Sequence, residues 1–384
     1  MATARSTKTE KLARRARGDP RLGAAVAAWS SLDEAQQRRL TYELAEARAD
    51  ELRRAHPDLV SVGHGYRKAG QARAKSGRLL RRGGLTDEPC VVLTVGRKWP
   101  RSRRSRAGEL PAYLLAFCDQ SAADGRTRRS LCTIPTDVRG ADEFRGAMRQ
   151  GAAEGVRRIV VDRPGGWKGV GTVACAVTVP GRDEFFGLSC YHVLVPRRLY
   201  DRRTDDLVRS GETFRESRSS QPIGTLWPGC IGCLTARRGR RSLDAALLRP
   251  DTTSALARVC GAVRPARSTW DPSWIPRDCR FEAEAGTLRG RFVAEHIPFS
   301  GIDYFGSEPL ATQYRILEFE MKGRSTAAGD SGCAVLSEDG TELVGMHLGG
   351  INRTSTVFVL PSYELFLGER WAGGIAPVLA PLNW

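Results

Sequence analysis

Residues Gly323 to Gly350 read GRSTAAGDSGCAVLSEDGTELVGMHLGG, and the reading of this stretch decides the fold. At its centre, Gly329-Asp330-Ser331-Gly332 sets a serine between small residues. A tight turn there projects the hydroxyl and lets backbone N–H groups converge on one point, and glycine permits the dihedrals such a turn requires. A serine hydroxyl is a weak nucleophile until a neighbouring base takes its proton. Upstream, the chain supplies His192 in GLSCYHVLVP and Asp244 in RSLDAALLRP. In such a set the imidazole takes the hydroxyl proton and returns it to a leaving amine, while the carboxylate holds the ring in the required tautomer and stabilises the imidazolium. The Gly329 and Ser331 N–H groups would form an oxyanion hole. Singly, each residue is weak evidence, since a histidine at a strand end is usually structural and Asp244 could equally cap a strand. The order His, Asp, Ser, each in its own apolar context, carries the reading.

At 384 residues the chain is long enough for two or three domains. Its apolar content of 41% and charged content of 27% are ordinary for a globular protein, but a net charge of +17, carried mostly by arginine, is not. A basic surface suits nucleic acid, anionic lipid or acidic proteins, although charge alone does not indicate a partner. No recognised nucleic-acid module accompanies it, so nucleic acid is not the expected partner. The opening MATARSTKTEKLARRARGDP lacks the apolar core of a secretory signal. No window approaches the roughly 18 uncharged apolar residues of a membrane span. A cytoplasmic protein without a membrane span is expected. Its 10 cysteines are then expected as thiols, with no disulfides. Cys230-x-x-Cys233 has metal or redox spacing but no second pair nearby, and reads as a turn with two thiols. Neither a cofactor nor a metal is implied.

In chain order, residues 1–20 read as a charged tail, followed by a helix whose capping box is Ser31 with Glu34 and which runs to about Ala55. Strands are expected at Leu59–Tyr66, Cys90–Val95 and Cys132–Val138, with a short apolar segment at Leu115 and Phe117. Two basic runs, RKAGQARAKSGRLLRRGG and RKWPRSRRSRAGE, lie between these strands. His64, without companions at ligand spacing, is read as structural. From Trp167 the chain becomes a series of short β segments, as in barrels: Val170–Val177, Phe185–Cys190, Ile223–Leu226, Asp244–Leu248, then a second set from about Ala257 to Val359. The expected organisation is a basic tail and amphipathic helix (1–56), an α+β accessory domain (57–158) and a mostly β domain (159–384).

Residues 168–370 resemble a trypsin-like (chymotrypsin-fold) serine peptidase: SCYHVL is similar to the histidine motif, SLDAALL to the aspartate motif and AAGDSGCAV to the serine motif. The resemblance implies two six-stranded barrels with His192, Asp244 and Ser331 in the cleft between them. Tyr191 and Cys333 depart from the small residues common at their positions. Ser325 matches the position at the base of the specificity pocket, where trypsin carries an aspartate, so cleavage after Lys or Arg is not supported. Ser325-Thr326 with Met346-His347-Leu348-Gly349-Gly350 resembles the staphylococcal glutamate-specific peptidases and the picornaviral chymotrypsin-like cysteine proteases. In both, a threonine and a histidine at the positions of Thr326 and His347 bind an acidic or Gln side chain. A hydroxyl and an imidazole N–H suit a carboxylate or amide oxygen, and buried donors left unpaired penalise other side chains. Gly349 and Gly350 would leave a strand edge open to the substrate backbone. Arg158-Ile159-Val160-Val161 resembles a zymogen cleavage site whose new N-terminus pairs with the residue before the serine, Asp330; it is also plain strand sequence. The expectation is a regulatory serine endopeptidase that cuts a protein or peptide after Glu, Asp or Gln. Its N-terminal region would meet a regulatory partner. The alternative is a catalytically silent scaffold that binds an acidic partner or nucleic acid through its basic loops.

Overall fold

Helical sequence begins earlier than the tail reading expects. In the computed structural model Pro20–Ser30 is a helix capped by Asp19, whose carboxylate accepts from the Arg21 and Leu22 N–H groups. A second helix spans Glu34–Ala55, and its capping box is Asp33 with Gln36 rather than Ser31 with Glu34. Asp33 accepts from the Gln36 N–H at 2.8 Å, and Gln36 Oε1 accepts from the Asp33 N–H at 3.0 Å. The cap residue must be extended. Asp33 is, at ψ 170°, whereas Ser31 (ψ −12°) is the C-cap of the preceding helix.

The structure describes residues 9, 19–68, 72–73, 79–81, 84–96, 110–121, 127–140, 158–162, 168–195, 212–234, 241–284, 286–299, 313–327, 329–351 and 354–382. Most of the basic tail, most of the first basic run and all of the second lie outside these residues. The chain divides into two compact units, Met1–Glu143 with Val293–Ile297 and Phe144–Phe292 with Pro298–Trp384.

In the first unit, β1 (Leu59–Lys68), β2 (Ala72–Arg73), β3 (Leu79–Arg81), β4 (Leu85–Val95), β5 (Tyr113–Ser121) and β6 (Thr127–Gly140) follow the helices. Residues Val293–Ile297 pair antiparallel with β1, and the order continues β4, β6, β5, with β4 and β6 parallel. Leu44, Ala45 and Leu52 of the long helix bury against Val62, Val91 and Leu93. Each such leucine or valine side chain contributes about 1.5–3 kcal/mol relative to exposure. His64 is buried, with Nε2 3.0 Å from Glu295 Oε2. One expectation fails here: Cys118 and Cys132 are disulfide-bonded. β5 and β6 pair Ala116 with Cys132 and Cys118 with Ser130, so the two cysteines are diagonal neighbours on one face, with Cα atoms 6.3 Å apart.

The second unit contains β7 (Arg158–Asp162), β8 (Lys168–Thr172), β9 (Cys175–Thr178), β10 (Phe185–Ser189), β11 (Thr213–Glu216), β12 (Pro222–Cys233) and β13 (Leu243–Pro250). β14 (Arg267–Ser268), β15 (Asp278–Ala283), β16 (Gly286–Phe299), β17 (Tyr314–Lys322), β18 (Ala334–Ser337), β19 (Glu342–Gly350), β20 (Thr356–Pro361) and β21 (Val378–Leu379) follow. The Val170–Val177 run is thus two strands, Ala257 lies in a helix (Thr253–Cys260), and Cys230 and Cys233 sit in a strand, not a turn. The order β15-β18-β19-β20-β17-β16 closes on itself where β16 returns to β15, with Asp278 opposite Arg291 and Ala283 opposite Gly286. Closure leaves that barrel without an edge. The other sheet, β21-β9-β10-β13-β12-β11-β7-β8, does not close among the described residues. The chain is therefore mostly β, with the barrels of a chymotrypsin-like fold present as one closed six-strand barrel and one half-barrel rather than two closed ones. No helix among the described residues is long and apolar enough to cross a membrane.

Candidate active site

His192 sits in a single helical turn, Tyr191–Leu194, at the end of β10, and Asp244 is the second residue of β13. β10 and β13 are ladder partners, Ser189 opposite Ala246, so both residues come to the same end of one strand pair. His192 Nδ1 lies 2.6 Å from Asp244 Oδ2, and the His192 backbone N–H donates to Asp244 Oδ1 at 2.9 Å. A carboxylate accepts, so Nδ1 carries the proton and Nε2 is left to act as a base. Asp244 is fully buried and His192 nearly so. A charge-assisted bond of this kind is stronger away from water.

The serine turn is held by main-chain bonds. The Asp330 N–H donates to Ala327 O at 3.1 Å and the Cys333 N–H to Asp330 O at 3.0 Å. Thr172, at the end of β8, grips the turn twice: its N–H donates to Ser331 O at 2.8 Å and its hydroxyl to Gly329 O at 3.0 Å. The Gly332 N–H donates to His347 O at 2.8 Å. Gly329 and Gly332 have φ values of 90° and 93°, which disfavour other residues. A Cβ on Gly332 would also stand 2.1 Å from Thr172 O. The Ser331 hydroxyl donates to Leu348 O at 3.1 Å. The N–H groups of Gly329 and Ser331 take no part in these bonds.

Asp330 is 1% exposed. Its Oδ2 accepts from the Ala327 N–H at 2.7 Å; its Oδ1 accepts from the Glu284 N–H at 3.3 Å and from Arg158 Nη2 at 3.1 Å. The sequence offered two readings of Arg158-Ile159-Val160-Val161, a cleavage site and plain strand, and the structure has the strand. Arg158 is the first residue of β7 and is 2% exposed. Thr172 had no signal in the sequence, where it lay inside the expected Val170–Val177 strand.

Of the residues expected to line a specificity pocket, Thr326 and His347 meet, Thr326 Oγ1 lying 3.2 Å from His347 Nε2. His347 Nδ1 is 3.1 Å from the Asp330 carbonyl oxygen, which can only accept, so the proton is on Nδ1. Burial pushes the His347 pKa below its ordinary 6.5, against the raising effect of nearby Asp330. The ring is therefore neutral at pH 7, and Nε2 accepts from the Thr326 hydroxyl. Gly350 lies beside this pair: a Cβ there would be 3.7 Å from Thr326 Oγ1. Gly349 and Gly350 pair with Phe358 and Val357 of β20, whereas the ladder with β18 ends at Met346. Ser325 is half-buried just before Thr326. Beneath the site, the Cys190 thiol donates to His347 O at 3.4 Å, and burial holds the Cys190 and Cys333 thiols protonated.

No protein family matches the chain, and no curated protein matches it by sequence. Similarity is found among solved structures, and the three that follow are remote. A glutamic acid specific serine protease that uses a histidine triad in substrate binding is 16% identical, at a TM-score of 0.35 over 55% of this chain and 95% of its own. The active form of the Rv3671c protease of M. tuberculosis is 19% identical, at 0.32 over 53% and 74%. An HtrA-type protease, AlgW, is 11% identical, at 0.29 over 82% and 64%. Likeness this remote carries no argument about residues or activity. The geometry of this chain has to carry that argument.

Proposed function

We propose that this chain is a serine endopeptidase in which Ser331 is the nucleophile, His192 the general base and Asp244 the residue that orients it. The observation that carries the reading is the buried His192–Asp244 contact of 2.6 Å, doubled by the backbone bond of 2.9 Å. An exposed histidine needs no such fixing, whereas a base that must present one tautomer does. Turned from Leu348 O towards His192, the Ser331 hydroxyl passes its proton to Nε2 as Oγ bonds to the substrate carbonyl carbon. The oxyanion takes the N–H groups of Gly329 and Ser331, one such donor being worth about 3–4 kcal/mol in known enzymes. His192 then gives its proton to the leaving amine, and water, activated by the same base, releases the acyl group.

Thr326 and His347 support cleavage after Glu, Asp or Gln. With His347 neutral, Nε2 accepts, so a P1 amide fits directly through its N–H₂, while a carboxylate fits once the ring takes up a second proton. The α+β unit and the helices that pack on it would recruit substrate or regulate cutting, which suits restricted rather than bulk proteolysis. The test is a diverse peptide library incubated with the full chain and with Ser331→Ala, products being mapped by mass spectrometry. Cuts after Gln, Glu or Asp that vanish in the variant are expected. Cuts elsewhere would sink the pocket, and cuts surviving in Ser331→Ala would sink the nucleophile.

A further inference from the structure

The residue before the nucleophile carries a buried negative charge, and how that charge is neutralised decides whether the turn can hold its shape. Asp330 is 1% exposed, and its carboxylate already receives the Ala327 and Glu284 N–H groups. The remaining contact is Arg158 Nη2 at 3.1 Å, with the two side chains 3% and 1% exposed. The guanidinium lies against the turn itself: a Cβ on Gly329 would stand 3.1 Å from its Cζ and Nε. Arg158 Nε and Nη1 are buried without a hydrogen-bond partner among the described residues. A cation so desolvated has its charge balanced at this carboxylate, and a buried pair is costly to break from either side.

The backbone of Arg158 is fixed just as tightly. It pairs with Thr172 across β7 and β8, and its carbonyl accepts from the Ser217 N–H at 2.8 Å. Thr172 in turn bonds the Ser331 and Gly329 carbonyls. One residue pair, Arg158 opposite Thr172, therefore grips the Gly329–Ser331 turn by side chain and by main chain. The peptide bond after Arg158 lies in a strand flanked by β8 and β11, where a peptidase cannot take it without first unpairing the strand.

We infer that Arg158 is a positioning residue, the internal counter-ion that locks Asp330 and keeps the Gly329 and Ser331 N–H groups aimed at one point in the uncut chain. Cleavage between Arg158 and Ile159 is then not needed for activity, and would remove the lock by freeing the strand that carries it. The inference rests on the peptidase reading of Ser331.

The test compares the full-length chain with Arg158→Ala and Arg158→Lys. It uses three readouts: kcat and KM on a peptide the wild type cuts, the labelling rate of Ser331 by a fluorophosphonate, and thermal melting to show that each variant is folded. Expected is a fall in kcat of about 10²-fold or more for Arg158→Ala, the size seen when an oxyanion donor is lost. KM is read alongside, because Asp330 also holds His347 and Ala327 beside the proposed P1 pocket and a loosened turn can raise it. Arg158→Lys, or added guanidinium at millimolar concentration with Arg158→Ala, should restore part of kcat. A folded Arg158→Ala chain with wild-type kcat would overturn the inference. Should the alanine variant not fold, the intact mass of the active wild type still decides: an uncut chain supports the lock, and activity confined to molecules beginning at Ile159 overturns it. A wild type that neither cuts nor takes the label overturns the peptidase reading and this inference with it, a result distinct from a normal wild type with an unimpaired variant.

Discussion

The protonation state of His347 makes cleavage after Glu and after Gln respond differently to pH. With Nδ1–H committed to the Asp330 carbonyl at 3.1 Å, the neutral ring offers a bound side chain an acceptor at Nε2 once the Thr326 hydroxyl, 3.2 Å away, turns aside. A Gln amide donates to it. A Glu carboxylate needs Nε2–H, hence the imidazolium, which burial disfavours by holding the His347 pKa below 6.5. Above that lowered value the imidazolium fraction falls tenfold for each unit of pH, about 1.4 kcal/mol per unit. Because kcat/KM reports the free enzyme and His192 acts on both substrates alike, its titration cancels in their ratio. The ratio of kcat/KM for a Glu peptide to that for the matched Gln peptide should therefore fall about tenfold per pH unit, roughly a hundredfold between pH 7 and pH 9. The assay is continuous cleavage of two fluorogenic peptides differing only at P1, at constant ionic strength. His347→Gln, which cannot titrate, should flatten the profile. A flat ratio in the wild type, or one that rises with pH, would refute proton uptake at His347.

Three further outcomes follow from the geometry. Asp244→Asn should keep the fold but lower kcat by about 10⁴, because the amide can donate to Nδ1 and favours the wrong imidazole tautomer; steady-state kinetics on a folded variant would check it. Gly332→Ala meets both a φ of 93° and a Cβ placed 2.1 Å from Thr172 O. It should cost about 3 kcal/mol of stability or more, read by denaturant melting, and an unchanged midpoint would count against this turn geometry. Asp33→Ala removes the acceptor for Gln36 N–H and should destabilise the chain by about 1 kcal/mol without changing kcat.

How much was legible in the sequence depended on distance along the chain. The serine turn was readable because glycines flanking Asp330-Ser331 signal their own backbone geometry, and the strands around His192 and Asp244 were readable as short apolar runs. Thr326 and His347, 21 residues apart, came from resemblance, and their contact at 3.2 Å brings them together. The ion pair of Arg158 escaped because an arginine beside Ile-Val-Val looks the same whether it is exposed or pairs with a carboxylate 172 residues away. The Cys118–Cys132 bond needed the β5–β6 register, which no local pattern supplies. β15 escaped because DCRFEA, with charges on alternate positions, is less apolar than its neighbours although Cys279, Phe281 and Ala283 are buried. The helix Pro20–Ser30 was lost in the charge of the sequence before it, although Asp19-Pro20 is a regular helix start.

Strand β16 belongs to two bodies at once: Gly286–Phe292 close the barrel, and Val293–Ile297 complete the sheet of the first unit. A fragment ending near residue 143 would lack its fifth strand and expose the β1 edge at Val62 and Gly65, an invitation to aggregate. Cutting away the N-terminal region would in turn strip Val293–Ile297, all five of them buried, of the β1 strand they pair with. The first unit is thus spliced into the second rather than appended to it. Loss, swapping or independent inheritance of either part is restricted at the level of a single shared ribbon of backbone.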